Sequence, residues 1–211
     1  MHHFAPRNGE LFAEDVPLRA IAEAVGTPCF VYSTATFTRH VRVFTAALAG
    51  GGVPHLVCYA MKANSNQAVL TLIGSLGAGM DVVSGGELKR ALAAGVPAER
   101  IVFSGVGKTD AELAAALDAG ILCFNVESES ELFALSAIAT QKGVAAPVSL
   151  RVNPDVQSGT HAKIATGAAE TKFGVPVSRA REIYAEAAAL PGLRVADVDM
   201  HIGSPITSLA P

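Results

Sequence analysis

A lysine, an aspartate, an arginine and a histidine interrupt stretches of this sequence that are otherwise apolar. Lys62 follows the run His55–Ala60, at the end of an expected strand and just before a turn. A lysine held there and partly removed from water loses proton affinity, and its amine can then attack a carbonyl. The plainer alternative is a side chain that snorkels to solvent. Asp81 in Met80–Ser84 and Arg151 in Val148–Val152 are charges within apolar runs. Such charges are costly unless they pair with another buried group or bond a ligand. His201 lies near the end of Val195–Ile202 and is followed by Gly203 and Ser204. Small residues at that place let backbone N–H groups and a hydroxyl reach a phosphate; a hydrogen-bonded histidine closing a strand is the alternative. Glu87 is a fifth candidate, but a helix-capping role already explains it.

These residues need elements to hold them, and the chain supplies a repeating unit. From His55 onward a short apolar run, a turn, a helical stretch and a glycine recur. The runs are His55–Ala60, Met80–Ser84, Ile101–Ser104, Ile121–Val126, Val148–Val152 and Val195–Ile202. They show little polar alternation, which is how strands buried on both faces of a parallel sheet read. Ser84…Glu87, Thr109…Glu112 and Ser128…Glu131 each match the capping box that opens a helix. Gly77, Gly95, Gly120, Gly143 and Gly192 mark helix ends. Strand starts spaced by ~20–25 residues suit compact βα units. The expected class is α/β, either a doubly wound open sheet or a (β/α)8 barrel of TIM type. Six strands in 211 residues, against ~250 for a complete barrel, favour a barrel truncated after about its sixth strand. The expected division is an N-terminal segment over residues 1–50, then a partial barrel over 51–211. In the first part Ile21–Ala24 and Thr38–Leu48 read as helical and Phe30–Ser33 as a lone strand, with Gly50–Gly52 a flexible join. Residues 153–176 form a long loop at the expected mouth, a frequent place for function.

Composition excludes several classes. Half of the residues are hydrophobic, 17% are charged and the net charge is −3, with Lys and Arg scattered. There is no basic stripe for nucleic acid and no basic amphipathic helix for a membrane. The longest uncharged apolar stretch, Ala68–Met80, is too short to span a bilayer, and residues 1–10 lack the apolar core of a signal peptide. Cys29, Cys58 and Cys123 are odd in number and far apart, which argues against disulfides and a zinc site and for three small core residues in a reducing cytoplasm. Gly105-Val-Gly-Lys-Thr109 imitates the end of a phosphate-binding P-loop, but that motif requires glycine where Val102 stands.

Several blocks, taken in order, resemble one family. They are YAMKAN around Lys62, GMDVVSGGEL around Asp81, FSGVGK, FNVES, LRVNPD around Arg151, HAKIATG from His161, TKFGV, and HIGS from His201. Over nearly its whole length the chain resembles the diaminopimelate decarboxylases, fold-type III enzymes that use pyridoxal 5′-phosphate (PLP) and are related to alanine racemase and to the ornithine and arginine decarboxylases. The resemblance implies that Lys62 carries the cofactor, that His201 stacks on its ring, that Gly203 and Ser204 contact its phosphate, and that Asp81 and Arg151 surround it. It implies no metal, an amino-acid substrate, a cytoplasmic homodimer, and decarboxylation of meso-2,6-diaminopimelate to L-lysine, with the cofactor ring as electron sink. The HAKIATG block favours diaminopimelate over ornithine. A decarboxylase of another basic amino acid and a non-catalytic PLP-binding relative are the alternatives. Two departures stand out. Pro205 follows HIGS where the family usually has Gln. The family's later glycine-rich phosphate loop, its acidic partner of the ring nitrogen and its C-terminal β-domain, which supplies a Cys and a Tyr to the partner's site, do not occur in these residues. The chain alone is therefore expected to be inactive.

Overall fold

The computed structural model describes residues 2–156 and 173–204. Three short antiparallel strands come first: β1 (Phe4–Arg7), β2 (Glu10–Ala13) and β3 (Val16–Pro17). This sheet was not expected from the sequence, although its signal is there. Asn8 and Gly9 join β1 to β2 with φ of 51° and 79°, the left-handed pair that makes Asn-Gly a tight hairpin turn. Helices α1 (Leu18–Val25) and α2 (Thr34–Gly50) follow. Ser33 caps α2, accepting the Thr36 N–H; its hydroxyl and the Ala35 N–H both donate to Glu14, at 2.8 and 2.9 Å, which ties the small sheet to the helix. Phe30–Ser33 forms no strand, because no described neighbour offers it a ladder and a lone strand leaves its backbone groups unpaired. Gly50 is the last residue of α2 rather than part of a free join.

The main sheet is parallel throughout: β4 (Cys58–Ala60), β5 (Gly79–Val82), β6 (Ile101–Phe103), β7 (Cys123–Val126), β8 (Ala146–Asn153) and β10 (Leu193–Asp199), with the two-residue β9 (Val175–Pro176) paired to the far end of β8. The six expected strands all occur. Their lateral order is their chain order, the arrangement of a barrel wall; a doubly wound sheet reverses direction at a switch point. Between them run α3 (Gln67–Ser75), α4 (Gly85–Ala93), α5 (Asp110–Ala119), α6 (Glu129–Lys142) and α7 (Val177–Ala189). Among the described residues, no helix is long and apolar enough to cross a membrane.

The core lies between the sheet and these helices. Met80, Ile101, Phe103, Phe124 and Leu150 from the strands are fully buried with Leu70, Ile73, Leu113, Leu132 and Ile183 from the helices. Each such side chain contributes ~1.5–3 kcal/mol. Alternate positions of the same strands, among them Asp81, Asn125 and Arg151, point to the other face and are only partly buried. The strands therefore do alternate, with the polar residues all on the concave side.

The helix starts differ in one respect from the expected capping boxes. Thr109 closes the full reciprocal pair with Glu112. Ser84 and Ser128 cap as expected, but Glu87 and Glu131 reach back one residue further, to the N–H groups of Val83 and Glu127 at 2.8 and 3.1 Å. Two cysteines also depart from a core role. Cys29 is exposed and Cys58 half-buried, and only Cys123 is buried. Cys29 lies in the segment without a sheet partner, beside the largely exposed Phe30.

Candidate active site

In a parallel sheet every strand ends on the same side, and that side collects the polar residues. A cavity of about 530 Å³ opens there, lined among others by Lys62, Asp81, Ser104, Asn125, Arg151, Asp199 and His201. Four of the six residues singled out from sequence, Lys62, Asp81, Arg151 and His201, thus come together although they lie on four different strands or strand ends. Gly203 and Ser204 follow His201, with Ser204 Oγ 3.5 Å from His201 Nε2; Gly203 has a φ of 141°. The HAKIATG block and Pro205 lie outside the described residues.

Lys62 sits in the 3₁₀ turn Met61–Ala63 directly after β4. Buried Met61 anchors the turn. The Tyr59 hydroxyl donates to the Asn64 carbonyl at 3.3 Å, Asn64 Oδ1 accepts the Asn66 N–H at 3.0 Å, and Arg90 Nη1 donates to the Ser65 carbonyl at 2.8 Å. The turn is fixed while the lysine itself is exposed. That differs from the expected partial desolvation: β4 is an edge strand of this sheet, so among the described residues no strand flanks the side chain from beyond it.

Asp81 is one ladder step from β4, paired in register with Ala60. Its Oδ1 is buried without a hydrogen-bond partner. Burial pushes the carboxyl above the usual aspartate range, against the opposing pull of the Ser104 hydroxyl and of Lys62. The Ser104 hydroxyl oxygen accepts from Asn125 Nδ2 at 2.9 Å. An orphaned buried acceptor of this kind needs a donor from elsewhere.

Arg151 is paired, as one of its two sequence readings allowed. Nη1 donates to Glu127 Oε1 at 2.9 Å, Nε lies 4.0 Å from Asp199 Oδ2, and the guanidinium stands 4.8 Å from the centroid of the Phe173 ring. Asp199 is held above its usual range, first by burial, with Arg151 opposing. His201 is pushed below the usual histidine range, first by burial and then by Arg151 and Lys62, which favours an uncharged imidazole at neutral pH.

Glu127 and Asp199 were given no role from sequence, Glu131 only that of a helix cap, and Lys108 only that of a P-loop look-alike. Lys108 Nζ donates to Glu131 Oε1 at 2.6 Å and to the carbonyls of Gly105 and Asn125 at 2.9 and 2.8 Å. Its side chain is 1% exposed, so the lysine of the P-loop look-alike is fully occupied in the interior. Burial still raises the Glu131 carboxyl, and Lys108 opposes it.

The geometry has close relatives. Residues 34–211 match the family described as pyridoxal-dependent decarboxylase, pyridoxal binding domain. The chain is 55% identical over 212 residues to the diaminopimelate decarboxylase of Pseudomonas fluorescens, covering 100% of this chain and 50% of that protein. It superimposes on a crystal structure of diaminopimelate decarboxylase from M. jannaschii in co-complex with L-lysine with a TM-score of 0.89 and 36% identity, covering 100% of this chain and 51% of that one. The crystal structure of an SrLDC mutant in complex with PLP gives a TM-score of 0.77 at 25% identity, over 99% of this chain and 48% of that one. The chain spans about half the length of the relatives it matches. A parallel barrel wall, a lysine at the end of its first strand and a match over residues 34–211 agree: the chain belongs to the pyridoxal-dependent decarboxylase family.

Proposed function

We propose that this chain carries the cofactor-binding part of a PLP-dependent decarboxylase that converts meso-2,6-diaminopimelate to L-lysine. The observation that carries the reading is the meeting of exposed Lys62 with the Asp81 carboxylate, whose buried Oδ1 has no hydrogen-bond partner, in one cavity that also holds Arg151 and His201. This donor set fits the cofactor. A primary amine is available for its aldehyde, an unpartnered buried acceptor waits for a donor, and small residues at Gly203 and Ser204 suit a phosphate. PLP, when bound, supplies a conjugated ring that accepts the electron pair left as carbon dioxide departs.

The chain's own residues bind and orient. Lys62 is the covalent anchor, on a turn whose backbone is pinned at both ends. His201, kept uncharged by burial and by its cationic neighbours, offers a flat apolar face for ring stacking. Asp81 and Arg151 supply opposite charges, and Gly203 and Ser204 supply backbone N–H groups and a hydroxyl for phosphate. The identity to diaminopimelate decarboxylases supports the substrate, and family resemblance supports a cytoplasmic homodimer.

The test uses the protein at its full natural length. It is incubated with PLP, reduced with borohydride, digested and mapped by mass. Label on Lys62 is expected, and Lys62→Ala should abolish both label and lysine release from diaminopimelate. A well-folded protein that takes no label overturns the cofactor reading; decarboxylation of ornithine or arginine in preference to diaminopimelate overturns the substrate.

A further inference from the structure

Glu127 follows the last residue of β7, and its side chain is 2% exposed. It is not among the residues that line the cavity. Its carboxylate nevertheless gathers three separate segments. Oε1 accepts from Arg151 Nη1 at 2.9 Å and from the Gly105 N–H at 3.1 Å, and Oε2 accepts from the Gly174 N–H at 3.0 Å. The Glu127 N–H donates to Glu131 Oε2, which joins this group to the buried Lys108–Glu131 pair. One side chain therefore fixes the turn after β6, the middle of β8 and the approach to β9.

The fit around Arg151 is close on the same side. Gly174 has a φ of 70°, and a Cβ built there would lie 2.6 Å from the Arg151 carbonyl oxygen and 3.1 Å from its Cγ. Of the two carboxylates near the guanidinium, Glu127 makes the short bond, while Asp199 stands at 4.0 Å. Without Glu127, the Coulomb attraction that remains would draw Arg151 toward Asp199. A buried carboxylate is expensive unless its partners are well placed, and every partner named here is either a cavity wall or a turn beside it.

We propose that Glu127 is a positioning residue for the cofactor: it holds Arg151 and the Gly105 and Gly174 turns in the arrangement the cavity needs, without touching the bound group. This rests on the reading of the cavity given above.

The test is a double-mutant cycle on the protein at its full natural length. PLP is titrated into apo protein, with affinity and absorption maximum read together and apo melting followed alongside. Glu127→Gln keeps the shape but removes the charge, and it should weaken PLP binding about tenfold, the scale of one charged hydrogen bond. In an Arg151→Gln background the same change should weaken it by less than about threefold, because the two act as one unit. Glu127→Asp, which keeps the charge, should recover most of the affinity and the absorption maximum; if the Gln variant does not fold, the Asp variant is compared with wild type in both backgrounds and its smaller loss should likewise vanish beside Arg151→Gln. Equal losses in both backgrounds, or no loss in the single variant, overturn the proposal. Failure of the wild type to bind PLP overturns the reading of the cavity instead, and is seen before any variant is made.

Discussion

Asp81 shows what one buried charge does to this cavity before anything is bound. Its pKa in the folded chain lies above the ordinary aspartate value, chiefly through burial. Between the unfolded and folded values the native state binds more protons than the unfolded one, so stability falls as pH rises through that window. Above the window the charged carboxylate, with Oδ1 unpartnered, is a standing cost. Asp81→Asn should therefore stabilise the cofactor-free protein at neutral pH by about 1 kcal/mol, with the gain vanishing below the ordinary aspartate range. Urea unfolding at several pH values reads this, and parity at neutral pH would refute it. The same residue explains why much of the site could be found without coordinates: Asp81 and Arg151 interrupt apolar runs, and a charge on a buried strand announces that something must meet it. Glu127 and Glu131 give no such signal. Each is an acidic residue near the start of a helix, where exposed carboxylates are ordinary, and only the fold shows that these two turn inward.

Among the elements, the turn between β6 and α5 carries more than its sequence suggests. Lys108 leaves that turn and enters the interior, bonding Glu131 of α6 and two backbone carbonyls. Replacing one partner leaves a buried charge alone, which destabilises by about 3–5 kcal/mol. Lys108→Met should lose that much in urea unfolding, and Lys108→Met with Glu131→Leu should regain most of it. Losses that simply add would show that the two side chains do not act as a pair. At the next residue, the N-cap of α5, Thr109→Ala should remove the complete capping box with Glu112 and cost about 1 kcal/mol. The six strands of the main sheet were legible because β-branched runs separated by capped helices have few other solutions. The N-terminal hairpin was not, since β1 (Phe-Ala-Pro-Arg) and β2 (Glu-Leu-Phe-Ala) hold no β-branched residue and the Asn8-Gly9 turn between them is its main signal. Phe30–Ser33 shows the opposite error: local strand preference without a partner does not make a strand.

At the scale of the whole molecule, the chain-ordered sheet has two edges, β4 and β10. A parallel sheet is ordinarily covered on both faces, but here helices cover one face and the other forms the open cavity. Lys62 owes its exposure to the first edge. The second edge, β10, exposes Val195 and Val198 at 38% and 53% alongside the charged Arg194 and Asp197, and its outer ladder groups are unpaired among the described residues. An open edge strand with unpaired ladder groups is a template for another chain. The 211-residue chain by itself should therefore associate as its concentration rises, which light scattering would follow, and should bind a hydrophobic dye. Val198→Lys, which places a charge on that edge, should reduce both effects while leaving the melting temperature nearly unchanged, since the side chain is already half in water. If β10 is the sticky edge, the same substitution on β4's side of the sheet, at exposed Val53, should do much less. A chain that stays monomeric at every concentration, or that associates equally in both variants, would mean that the exposed edge is not what governs its solution behaviour.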